Sequence, residues 1–134
     1  MELGKGTGGQ IVSYDPKVPE ELRVRGGLPN FFSNIEEGGP VRIAYFGGSI
    51  TAAGGWRPKT LAWFRAQYPK AELTEINAAI SGTGSDYGAC RIAADVLEKS
   101  PDLVFMEHRV NGGGGYEAKS VEGVARQIWK KDPR

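Results

Sequence analysis

Ser49 is the residue in this sequence best suited to covalent chemistry. It lies in Gly47-Gly48-Ser49-Ile50-Thr51, directly after the β-branched and aromatic run Val41-Arg42-Ile43-Ala44-Tyr45-Phe46. That run reads as a buried strand. The two glycines let the backbone turn sharply off the strand end and lift Ser49 clear of the sheet. Esterases often display a serine in this way, because attack on a carbonyl needs an exposed Oγ. Two other readings share the motif. One is a plain glycine-rich connection. The other is a phosphate-cradling loop, which fits poorly because no lysine follows the glycines at the P-loop spacing.

Two further glycine-rich stretches carry polar groups that can assist a serine. Ser81-Gly82-Thr83-Gly84 follows a second strand-like segment, and Asn111-Gly112-Gly113 follows a third. A serine hydroxyl is a weak nucleophile without a base. The chain has one histidine, His108. If the third strand runs through Arg109, His108 shares a face with Val110, and Glu107 shares the other with Arg109. His108 would then lie a turn below the loop. Two readings of it stay open: general base, or packed and hydrogen-bonded strand histidine. Glu107 at the strand end suits hydrogen bonding that orients loops.

The elements that must position these groups can be read in order. Residues 1–19 are Gly-rich with few apolar anchors and predict a flexible arm; residues 20–134 form one domain. Glu20 to Val24 predicts a short turn or strand. Leu28 to Ile35 predicts a short helix docking Phe31, Phe32 and Ile35. After Thr51 a loop is expected to Arg57. Leu61, Phe64 and Tyr68 then mark one face of a helix that Pro69 stops. Ala71 to Ala78 predicts the second strand. Ser85 is the expected cap of a helix bearing Tyr87, Cys90, Ile92, Ala93, Val96 and Leu97, with Cys90 buried among them. Asp102 to Arg109 predicts the third strand. Val121, Val124, Ala125, Ile128 and Trp129 mark a last amphipathic helix. The βαβαβα order implies a parallel sheet with helical crossovers, whose ligand sits beyond the carboxyl ends of the strands. All three strands end in the glycine-rich loops.

Composition narrows the partners. The 134 residues suffice for one domain with a core but not for two. Lys and Arg number 17 against 16 acids, a balance that favours neither nucleic acid nor an anionic membrane. No apolar run is long enough to span a bilayer. Met1 to Gln10 lacks the apolar core of a signal peptide, and a mature secreted protein would look the same, so the compartment stays open. A single cysteine excludes an internal disulfide.

Gly47-Gly48-Ser49-Ile50-Thr51, Asn77-Ala78-Ala79-Ile80-Ser81-Gly82 and Glu107 to Asn111 together resemble the first three blocks of the SGNH (GDSL-like) hydrolases. The closest resemblance is to the Gly-Gly-Ser-Ile-Thr subgroup of acylhydrolases and carbohydrate esterases. The lead-in Arg25-Gly26-Gly27-Leu28-Pro29-Asn30-Phe31-Phe32 is similar as well. The resemblance implies a flavodoxin-like α/β/α fold and serine ester hydrolysis with no metal and no cofactor. It implies Ser49 as nucleophile, with an oxyanion hole from the Ser49 N–H, the Gly82 N–H and the Asn111 side chain. Gly48, Thr51 and Thr83 would line the substrate site. The substrate would be a small ester, such as an acetylated sugar.

The sequence departs from that family in three places. Gly48 stands where the first block usually has Asp. The third block reads His108-Arg109-Val110-Asn111-Gly112 and lacks its usual Asp. The Asp-x-x-His block expected near the end of a longer chain does not precede Arg134, nor do the fourth and fifth strands. An esterase impaired as it stands, a non-catalytic ligand-binding relative, and a half-domain completed by another chain are therefore the readings to separate. In each, the third strand is expected to be an exposed edge able to pair with a second copy or a completing chain.

Overall fold

The computed structural model describes residues 26–111 and 117–132. The expected arm at 1–19, the segment Glu20 to Val24 and the loop from Gly112 to Gly115 lie outside the described residues.

Three parallel strands form the sheet in the order β2-β1-β3. β1 spans Pro40–Gly47, β2 Glu72–Asn77 and β3 Leu103–Glu107. Ile43 pairs with both Glu75 and Leu103, and Gly47 pairs with Glu107, so β1 and β3 end level. β1 is central and nearly all buried, as its run of apolar residues requires. β2 and β3 are each shorter than the expected segments. β3 stops at Glu107 because its own carboxylate Oε1 accepts the N–H of Arg109 at 2.8 Å. The chain then tightens into a 3₁₀ turn, Arg109–Asn111.

Alternation along β1 divides the core between two faces. Val41, Ile43 and Tyr45 face helix α1 (Pro29–Glu37) and helix α3 (Trp56–Gln67), packing on Phe31, Ile35, Leu61 and Phe64. Phe32 is partly exposed, so of the three expected residues only Phe31 and Ile35 are buried. Ala44 and Phe46 face helix α4 (Ser85–Asp95) and helix α5 (Glu117–Lys131), packing on Ile92, Val96, Leu97 and Val124. Helices thus cover both faces of a parallel sheet, the α/β flavodoxin-like arrangement.

Three local expectations need correction. The segment after the first strand is not all loop: Ser49–Ala52 forms a short helix, α2. Ser85 does not cap α4. Gly84 is the N-cap, and the Ser85 hydroxyl bonds the Ser120 hydroxyl of α5 at 2.7 Å. Cys90 is exposed, because the inward face of α4 is set by Ser85, Gly88, Arg91 and Ile92 on the opposite side of the helix.

Candidate active site

The carboxyl ends of the three strands are stitched together by backbone hydrogen bonds. The Gly48 N–H donates to Glu107 O at 3.3 Å, joining the serine turn to β3. The Ile80 N–H donates to Gly47 O at 3.0 Å and the Ala78 N–H to Tyr45 O at 2.9 Å, joining the second loop to β1. A β-carbon at Gly47 would run into Glu107 O and the Thr51 side chain, so only glycine fits this crossing.

Gly48 is the point of convergence. A β-carbon there would stand 2.6 Å from Asn111 Oδ1 and 3.1 Å from Thr83 O. The first, second and third loops therefore meet at the residue before Ser49. Ser49 is half-buried at the start of α2, and its carbonyl accepts the Ala53 N–H at 2.9 Å. Gly82 is exposed with φ of +76°, a left-handed conformation that glycine adopts without strain. Thr83 is half-buried, and its hydroxyl donates to Ile80 O at 2.7 Å, closing the second loop on itself. Asn111 is half-buried at the end of the 3₁₀ turn.

Two expected site residues, Thr51 and His108, are buried. Thr51 is fully buried, and its hydroxyl donates to Glu107 Oε2 at 3.4 Å. It fastens α2 to the end of β3, away from solvent. Glu107 holds both this hydroxyl and the Arg109 N–H, the loop-orienting use expected of it.

His108 is 4% exposed and continues the alternation of Val104 and Met106 onto the α4 and α5 face. Val110 is exposed, so the two do not share a face: the strand ends before Arg109. The imidazole meets the Phe46 ring edge-on at 5.1 Å between centroids and lies against Gly88. Its Nδ1 is 3.4 Å from Thr83 O, and its Nε2 is buried without a partner. Burial pushes its pKa below the usual histidine value; the Thr83 hydrogen bond opposes this, and the nearby Arg91 cation adds to it. Packed this way, the ring turns its Nδ1 to the second loop and its Nε2 to α4.

Arg91 is the residue that reading the sequence missed. Its guanidinium is buried on the inward face of α4. Nη1 donates to Ala78 O at 2.7 Å and to Asp95 Oδ2 at 2.8 Å, and Nη2 donates to Gly47 O at 3.4 Å. The signal was available: Arg91 stands three residues after Gly88 on an apolar face, with a carboxylate at i+4 to balance its charge.

Among the described residues no cluster of His, Cys, Asp or Glu is arranged to hold a metal ion, and no helix is long and apolar enough to cross a membrane.

A crystal structure of a two-domain esterase (CEX) active on acetylated mannans, co-crystallised with mannopentaose, superposes with a TM-score of 0.74 at 31% identity. The match covers 78% of this chain and 31% of that one. A second crystal structure of a two-domain esterase (CEX) active on acetylated mannans gives 0.70 at 33% identity, over 76% and 30%. Both neighbours are esterases. This chain is similar to them in fold and in sequence, and it spans about a third of their length. No family model matches the sequence, and a search of curated proteins finds no significant match.

Proposed function

We propose that this chain carries the nucleophile and oxyanion donors of an SGNH-type serine esterase acting on acetylated carbohydrate. The observation that carries the reading is the meeting of all three strand-end loops at Gly48, beside Ser49. Ser49 Oγ attacks the acetyl carbonyl. Its own N–H, the Gly82 N–H and the Asn111 amide stabilise the oxyanion. The esterase neighbours, active on acetylated mannans, support both the ester chemistry and a saccharide leaving group.

The general base is the missing part. The sequence has one histidine, and it is packed against Phe46 and Thr83. In this proposal an activating imidazole comes from outside these 134 residues, from a longer form of the chain or from a completing chain. By themselves these residues bind the ester and turn it over poorly, the second reading that the burial of His108 favours.

An aryl fluorophosphonate, applied in buffer with added imidazole as a substitute base, tests the site. An acetylated manno-oligosaccharide should slow capture of Ser49, and its deacetylated form should slow it less. Capture indifferent to both sugars would remove the carbohydrate substrate from the reading.

A further inference from the structure

Two buried side chains grip the second loop from beneath, one at each end. Arg91 donates to the carbonyl of Ala78, where the loop leaves the sheet, and to that of Gly47 at the end of β1. His108 lies against the carbonyl of Thr83, where the loop returns toward α4. Both rest on one ring: the Arg91 Cζ is 4.3 Å from the centroid of Phe46, and the imidazole meets that ring's edge at an interplanar angle of 83°. Gly88 lets α4 close over them, since a β-carbon there would be 3.1 Å from His108 Nε2 and 3.2 Å from Phe46 Cε1.

We infer that Arg91 and His108 are positioning residues that fix the Ala78–Thr83 loop, and with it the Gly82 N–H, against the turn bearing Ser49. A planar guanidinium has donors at fixed separation, so it can set the spacing between the ends of β1 and β2. A lysine ammonium is a point and cannot span two carbonyls in the same way. A neutral imidazole has one N–H, and the Thr83 carbonyl assigns it to Nδ1. Burial and the neighbouring Arg91 keep the ring neutral, while Glu107 and Asp86 act the other way. The charge on Arg91 is balanced by Asp95.

The inference rests on the oxyanion role proposed for Gly82, but its first readout does not. Amide hydrogen exchange should be measured across the chain for Arg91→Lys, His108→Phe and His108→Asn. Phenylalanine keeps the packing and deletes the donor. Asparagine places an amide N–H close to the position of Nδ1. Exchange at residues 79–84 should quicken on the order of tenfold in Arg91→Lys and His108→Phe, as loss of a buried hydrogen bond implies. His108→Asn should restore it, and β1 should be unchanged in all three. Should Arg91→Lys fail to fold, the two His108 variants make the same comparison. Unchanged exchange at 79–84, or a rise spread evenly over the molecule, overturns the inference.

The second readout is capture of Ser49 by the fluorophosphonate in imidazole, expected to slow in step with the loosening of the loop. A loosened loop with undiminished capture would leave the grip standing and overturn the role of Gly82. No capture in the unaltered chain would count against the serine, and the exchange comparison would still decide the grip.

Discussion

Asn111 lies against Gly48, so close that a β-carbon at Gly48 would stand 2.6 Å from the Asn111 side-chain oxygen. The backbone of Gly48 has φ −92° and ψ −150°, a conformation open to any residue. Glycine is required here for space and not for dihedral freedom. Gly48→Ala should therefore keep the turn's dihedrals, push the Asn111 amide aside and press more lightly on Thr83 O. Capture of Ser49 by a fluorophosphonate should fall by about 10²-fold or more, the usual scale for losing one oxyanion donor. Circular dichroism and the unfolding midpoint should change little. Undiminished capture would show that Asn111 does not serve the oxyanion.

Thr51 tests the division between support and substrate contact. Thr51→Val keeps the shape and removes the donor to Glu107. At 3.4 Å the bond is long, so the expected loss is about 1.5 kcal/mol, the low end for a bond to a charged group. Urea unfolding measures it. The protection that an acetylated manno-oligosaccharide gives Ser49 should be unaltered. Weakened protection with full stability would return Thr51 to the substrate site.

The folded chain holds His108 below its ordinary pKa, so the unfolded chain binds the extra proton more readily. Stability from this group is present at neutral pH and above. It is lost as pH falls from about 6.5, the ordinary histidine value, toward the lowered value. Comparing the unfolding free energy of the chain with that of His108→Phe between pH 7.5 and 5 isolates this residue from the carboxylates. The unaltered chain should lose more stability on acidification. Parallel curves would contradict the burial of a neutral imidazole.

The polar groups beneath the site were harder to read than the frame. Ile43 to Phe46 is apolar on both sides, which points to a central strand with Gly47-Gly48-Ser49 as its turn. The three strand-end loops followed from the βαβ order. His108 is packed and hydrogen-bonded, one of the two readings open to it; only its shared face with Val110 fails, because Glu107 accepts from Arg109 and ends β3 early, a tertiary detail that alternation does not encode. The resemblance put Thr51 at the substrate site, and the short helix α2 that buries it has no periodicity to read. Arg91 was missed because a cation on a helix is ordinarily solvated. Its burial depends on carbonyls from two distant strands and on Asp95.

β3 pairs only with β1 among the described strands, so its far side is a sheet edge. Leu103 is buried, but Val104, Phe105 and Met106 are only half-buried. Such an edge is a template for another strand. The chain should self-associate at micromolar concentration through this edge. Sedimentation equilibrium reporting a folded monomer at those concentrations would show that the edge is protected in another way.

Covalent capture of Ser49 tests the central claim most directly. The chain and its Ser49→Ala variant should be treated with an aryl fluorophosphonate, with and without imidazole, and the modified residue located by peptide mass spectrometry. The account predicts modification at Ser49 alone, accelerated by imidazole and absent from Ser49→Ala. Hydrolysis of p-nitrophenyl acetate, measured without imidazole, should not exceed that of Ser49→Ala. Modification that persists in Ser49→Ala, or rapid imidazole-free turnover that vanishes in His108→Ala, would contradict it.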